Sequence, residues 1–176
     1  MTDQPTAEPQ PGDIFVTTIH GDVGWAIGTA ERLMERIQRW KQQVDTVWRH
    51  AGVYVGDGKI VEARPGGADL ADLSRYDGQP ILWLHCPDAS RRAVATAARS
   101  YIGTPYSYAD YLEISAHTLH VPAPGLRQLI QSDRHMICSQ LATAAADKGG
   151  WHVFDDGRWP GFATPVDLAR VASAWP

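Results

Sequence analysis

The chain has 176 residues, 44% of them hydrophobic and 20% charged, with a formal net charge of −4. That length accommodates one domain with a sizeable core, and the acidic balance argues against a nucleic-acid partner. No apolar run approaches the roughly 20 residues of a membrane-spanning helix. Residues 1–10 carry neither the basic nor the apolar region of a secretory signal. They read as a disordered tail, which leaves 11–176 as a single domain and a cytoplasmic setting as the expectation. Two cysteines, Cys86 and Cys138, make no disulfide framework in a chain this long, in keeping with a reducing compartment.

Gly12-Asp13-Ile14-Phe15-Val16-Thr17-Thr18 reads as a turn and a short strand, with Asp13 turning or capping the chain. Residues 24–43 predict an amphipathic helix, because Ile27, Ala30, Leu33, Met34, Ile37 and Trp40 recur at helical spacing. Residues 47–55 predict a strand, Gly56-Asp57-Gly58 a hairpin turn, and residues 59–63 the return strand, closed by Arg64-Pro65-Gly66-Gly67. Residues 68–79 read as loop with one short helical turn. Residues 80–86 are nearly all apolar and predict a central strand that puts Cys86 in the core. Asp88 or Ser90 caps a helix over residues 91–102, stopped by Gly103-Thr104-Pro105.

Residues 105–137 are the least legible, with a short helix near 108–118 and a Pro/Gly loop at 121–125. Residues 138–148 predict an alanine-rich helix ended by Gly149-Gly150. In the aromatic, Gly-rich stretch 151–164, Trp151, Trp159 and Phe162 either line a cleft or belong to the core. Thr164 caps a last helix with Pro165 at its first position. Strands and helices mix without strict alternation, which points to an α+β fold with an antiparallel sheet.

Cys138 falls at the first turn of its helix. There the unpaired N–H groups and the positive end of the helix dipole favour the thiolate, the form that acts as a nucleophile. Such a thiol needs a base and a group to orient that base. His50 stands at the start of a strand and is followed by the small residues Ala51 and Gly52. Folding the hairpin about Asp57 pairs Glu62 with Gly52, two positions from His50 and within reach of a long side chain. Cys138, His50 and Glu62 are thus the candidate nucleophile, base and orienter. Taken singly, each also has a structural reading, as a buried thiol, a hydrogen-bonded histidine or a solvated acid.

The motifs Gly12-Asp13-Ile14-Phe15, His50-Ala51-Gly52-Val53-Tyr54-Val55 with Glu62-Ala63, Gly103-Thr104-Pro105-Tyr106-Ser107, Cys138-Ser139-Gln140-Leu141 and Thr164-Pro165-Val166-Asp167-Leu168 occur in that order. Together they resemble the circularly permuted NlpC-type papain-like cysteine hydrolases of the YiiX-like group, in which the histidine precedes the cysteine. The resemblance covers most of residues 11–170. It implies a papain-like fold, with a small antiparallel sheet packed against helices and the nucleophile at a helix N-terminus. It also implies a Cys138–His50–Glu62 triad and hydrolysis of amide bonds in short peptides, cell-wall-type peptides or N-acyl amino acids.

For substrate or oxyanion contact it offers Tyr106, which reads equally well as a packed aromatic, and Ser139. Ile137 stands where ordinary NlpC enzymes have Asp, so their substrate-amine contact does not carry over. The stretch 109–137 has no counterpart in the resemblance.

The mechanism this implies requires no metal or organic cofactor. Among the seven histidines, His117 and His120 lie three apart and His135 lies near Cys138, but none forms a known zinc spacing with two cysteines. Two rival readings keep the same cleft. In one, a lipid acyltransferase or thioesterase uses the same triad; in the other, a non-catalytic module binds peptide or peptidoglycan.

Overall fold

The structure is a computed structural model that describes residues 8–18, 48–106, 136–156 and 163–174. The predicted helix at 24–43, the readings of 108–118 and 121–125, and residues Ser107, His117, His120, His135, Trp159 and Phe162 lie outside these. The described chain is α+β. Five strands form an antiparallel sheet: β1 (Ile14–Thr17), β2 (His50–Gly56), β3 (Lys59–Arg64), β4 (Gly67–Asp72) and β5 (Ile81–Leu84), in the order β4-β3-β2-β1-β5. Three helices accompany it: α1 (Arg91–Ser100), α2 (Cys138–Lys148) and α3 (Pro165–Ala174). No helix among the described residues is long and apolar enough to cross a membrane.

The hairpin between β2 and β3 follows from its turn. Asp57 and Gly58 both have positive φ, 54° and 67°, the requirement of the tight two-residue turn that matches strand twist. The turn pairs Gly56 with Lys59, and an irregularity between Tyr54 and Gly56 then shifts the register, so that Tyr54 lies opposite Ile60, Val53 opposite Val61 and Gly52 opposite Glu62. The observed pairing is the one expected from folding about Asp57. Strand β2 begins at His50, three residues later than predicted.

Two readings are corrected. Residues 67–72 form the strand β4, where loop was expected, and a single 3₁₀ turn (Leu73–Tyr76) follows it. Glycine, alanine and aspartate are poor strand formers, so the ladder to β3, rather than local propensity, holds β4 in place. Strand β5, expected to be central, lies at the edge of the sheet among the described strands. Its apolar run reflects cover on its two faces: α3 packs against it on one, and Trp83 meets Phe15 and Tyr54 on the other.

Alternation along the strands divides the core. Ile14, Val16, Ala51, Val53, Val61 and Ala63 face the helices, while Phe15, Ile60, Ala71 and Tyr76 cluster on the opposite face. Helix α2 presents Leu141, Ala142, Ala145 and Ala146 to the sheet, all buried, and packs against β2 and β3. Small alanine side chains allow the helix to approach the strands closely, which brings its N-terminus to the start of β2. Cys86 is buried in the core, and Trp151 belongs to the same cluster rather than to an open cleft.

The helix ends are partly as expected. Thr164 Oγ1 accepts from Asp167 N–H at 3.1 Å and donates to Asp167 Oδ2 at 2.7 Å, which closes a cap at the start of α3. Ser90 takes the cap position of α1 but makes no side-chain cap bond, and Asp88 instead accepts from Arg91 Nε at 2.8 Å. Asp13 anchors the first strand. Its Oδ1 accepts from Cys86 N–H at 2.8 Å and from Arg91 Nη1 at 2.7 Å, and its Oδ2 accepts from Gln10 N–H at 2.9 Å.

Candidate active site

Cys138 is the first residue of α2, and Ile137 is its extended cap. The Gln140 side chain turns back to accept the Ile137 N–H at 2.9 Å, and the first helical bond runs from Leu141 N–H to the Ile137 carbonyl. The Cys138, Ser139 and Gln140 N–H groups therefore precede the regular helical ladder and project from the positive end of α2. The entry to α2 is fixed from the side as well. Tyr106 forms an isolated parallel bridge with Met136, whose N–H donates to the Pro105 carbonyl at 3.0 Å.

Cys138 and His50 are brought together at the start of β2 and are hydrogen bonded to each other. The backbone N–H groups of Ala51 and Ser139 also favour the charged form of the sulfur. Cys138 is 7% exposed and His50 3%. Burial alone raises a thiol's pKa, but the imidazolium charge of His50, its hydrogen bond and the two backbone donors outweigh burial, so Cys138 is held below the ordinary thiol value. Burial likewise opposes the imidazolium. The Cys138 thiolate and then Glu62 more than offset it, so His50 is pushed up to about 9. Each partner stabilises the charged form of the other, and the two titrate as a pair.

Glu62 completes the line. His50 Nε2 meets Glu62 Oε2 at 2.6 Å, which leaves Nδ1 to face the sulfur. Glu62 is fully buried, yet it is held below the usual carboxylate range. Burial raises it, and the hydrogen bonds from His50 and Tyr76 with the Arg75 charge pull it down further. Tyr76 O–H donates to Oε2 and Arg75 Nη1 to Oε1. An isolated buried carboxylate would cost several kcal/mol, but here three donors meet the charge.

The ring of His50 is packed as well as bonded. Its centroid lies 5.7 Å from that of Tyr76 and 6.1 Å from that of Phe15. Phe15 can lie there because residue 52 is glycine. A Cβ on Gly52 would stand 2.6 Å from Phe15 Cε1 and 2.8 Å from the Val61 carbonyl oxygen.

The five residues singled out from the sequence fall around this point in different ways. Cys138, His50 and Glu62 form one continuous chain of contacts. Ser139 follows Cys138, is fully buried, and has an Oγ without a hydrogen-bond partner among the described residues. Tyr106 is half-buried, packed against the core and tied to Met136 just before Cys138. Arg75 and Tyr76 were not anticipated. The signal for them was indirect: a carboxylate in the apolar strand Lys59–Arg64 calls for donors, and Leu-Ser-Arg-Tyr at 73–76 supplies two. Among the described residues no group of His, Cys, Asp and Glu is arranged to hold a metal ion. No protein-family model, curated protein or solved structure matches the chain.

Proposed function

We propose that this protein is a thiol-dependent hydrolase that cleaves amide bonds, in short peptides, cell-wall-type peptides or N-acyl amino acids, through a Cys138 acyl-enzyme. The observation that carries this reading is the buried Cys138–His50–Glu62 chain, with a depressed thiol at a helix N-terminus beside a histidine pushed up to about 9. That arrangement keeps a nucleophile and an acid ready together at neutral pH. The antiparallel sheet, the nucleophile at the start of α2 and the base on an earlier strand fit a permuted NlpC-type papain-like fold of the YiiX-like kind.

The reaction follows from the contacts. The Cys138 thiolate attacks the amide carbonyl carbon and forms the S–C bond. The carbonyl electron pair moves onto oxygen, beside the Cys138 N–H, which precedes the first helical hydrogen bond at the start of α2. The His50 imidazolium gives its Nδ1 proton to the departing nitrogen, the C–N bond breaks, and the amine leaves. The neutral imidazole then takes a proton from water as its oxygen attacks the thioester, and the collapsing intermediate expels the thiolate and releases the carboxylic acid. Glu62 keeps the ring in the tautomer and orientation that both halves require. Tyr106 and Ser139 flank the nucleophile as candidate substrate contacts.

The test is turnover of short peptides, muropeptide-type peptides and N-acyl amino acids by the wild-type chain and by Cys138→Ala. Amine release that disappears in the variant supports the reading. Turnover of acyl esters alone, or acyl transfer to an added amine with no amide cleavage, favours the acyltransferase or thioesterase instead. Tight peptide binding without turnover, indifferent to His50→Ala, favours a binding module.

A further inference from the structure

The Arg75–Tyr76 turn lies outside the nucleophile, base and orienter, yet both of its polar side chains end on the orienter. Arg75 bonds Glu62 Oε1, and its other nitrogen, Nη2, lies 3.7 Å from Asp69 Oδ2. Tyr76 donates to Glu62 Oε2, the oxygen that also binds His50 Nε2, and its ring lies beside the His50 ring, tilted by 31°. The same carboxylate oxygen is therefore shared between a phenol and an imidazolium, while the second oxygen is committed to a guanidinium. Register explains the convergence. Glu62 lies opposite Asp69 on β4, and the chain leaves β4 directly into the 3₁₀ turn, which returns it over the same face.

Among the described residues, the charged and titratable groups around His50 come from four elements. Helix α2 supplies Cys138, β3 supplies Glu62, and the turn supplies Arg75 and Tyr76. Asp69 of β4 acts through Arg75, and Arg64 acts on Tyr76, while β1 contributes only the uncharged Phe15. Thiolate, imidazolium, carboxylate and guanidinium sum to zero.

We propose that Arg75 and Tyr76 are positioning residues that set the proton balance of the Cys138–His50 pair through Glu62. Arg75, paired with Oε1, offsets part of the negative potential that the buried carboxylate places on His50 and Cys138. The Tyr76 hydroxyl takes up part of the basicity of Oε2 and so limits how firmly Glu62 holds the imidazolium. With Tyr76 absent the carboxylate becomes a stronger acceptor, and His50 becomes slower to give up the proton that the leaving group requires. With Arg75 absent the site loses a positive potential, and both the thiol and the imidazole retain their protons to higher pH. The inference rests on the reading of Cys138 and His50 as a reactive pair.

The test needs no substrate. The pH dependence of Cys138 alkylation by iodoacetamide, and the titration of the His50 ring followed by NMR on isotope-labelled histidine, are measured in the full chain for wild type, Tyr76→Phe, Arg75→Gln and Arg75→Lys. In Tyr76→Phe the His50 step moves up by about half to one pH unit. In Arg75→Gln both steps move up by a similar amount, and Arg75→Lys brings them back toward wild type. A role confined to stability would lower the melting temperature of Tyr76→Phe and leave both steps where they were. Wild-type steps at shifted positions with superimposed variant curves overturn this inference alone. A wild-type Cys138 that titrates like a free thiol overturns the reactive pair and this inference with it.

Discussion

Glu62 pairs across the hairpin with Gly52, not with His50, and the offset of two residues along β2 lets its carboxylate meet His50 Nε2 at 2.6 Å. Residues directly opposite on adjacent strands stand side by side, so their side chains project in parallel. A diagonal pair on one face converges instead, provided one side chain is long and the residue between is small. Gly52 is that residue. The space above it admits the Phe15 ring, which closes the His50 pocket from below.

Cys138→Ala removes the nucleophile and is expected to reduce amide hydrolysis by about a thousandfold or more. In the wild type, limiting iodoacetamide labels Cys138 and spares Cys86. Burial pushes Cys86 up to about 11, Arg91 lowers it in part, and its thiolate is scarce at neutral pH. Peptide mapping after brief labelling reads both sites in one sample.

Activity is expected to follow a bell in pH. The thiol is depressed, so the pair persists as pH falls below the ordinary thiol value and is lost only when the thiolate takes a proton. The histidine is raised, so the imidazolium persists through neutrality and is lost as pH rises through about 9. The pH profile of kcat/KM checks both limbs, which belong to the pair rather than to either residue.

Glu62→Gln keeps the shape of the side chain and removes its charge. The imidazolium then loses a counter-charge, and the alkaline limb moves down from about 9 by about one unit or more. Hydrolysis falls roughly tenfold or more as the ring loses its fixed tautomer. The shift is opposite in sign to that expected for Tyr76→Phe, so the two profiles measured side by side separate loss of the carboxylate from loss of its competitor.

Gly52→Ala drives a methyl group into the Phe15 ring and the Val61 carbonyl oxygen. A cost of about 1–3 kcal/mol is expected in urea unfolding, with activity reduced because Phe15 is pushed toward His50. Adding Phe15→Leu makes room on the side-chain flank and recovers part of both, while the backbone contact at Val61 remains.

The hairpin was legible because Asp57-Gly58 admits few turns, although the pairs beyond Tyr54 also depend on the register shift between Tyr54 and Gly56. The start of α2 was legible from the apolar residues before Cys138 and the alanines after it, and the cap of α3 from Thr164-Pro165. Strand β4 was not, because Gly67, Ala68, Asp69, Ala71 and Asp72 carry no strand preference and are held by their pairing with β3, which ends at Arg64 just before β4 begins. Strand β5 was legible as a strand but not in its place, since an apolar run records how much is covered and not by what. At the site, three residues of known chemical type announced themselves. Arg75 and Tyr76 did not, because an arginine and a tyrosine in a polar turn look like any surface pair until the carboxylate they serve has been located.

His50 and Glu62 are 12 residues apart on one hairpin, while Cys138 belongs to a helix that arrives much later in the chain. The base and its orienter can assemble as soon as their hairpin leaves the ribosome. The sulfur acquires its partners only when α2 docks on the completed sheet. A chain in which α2 has not docked beside β2 therefore carries a Cys138 thiol without the groups that lower it. The reactivity of one atom then serves as a gauge of whether the whole molecule has been built correctly.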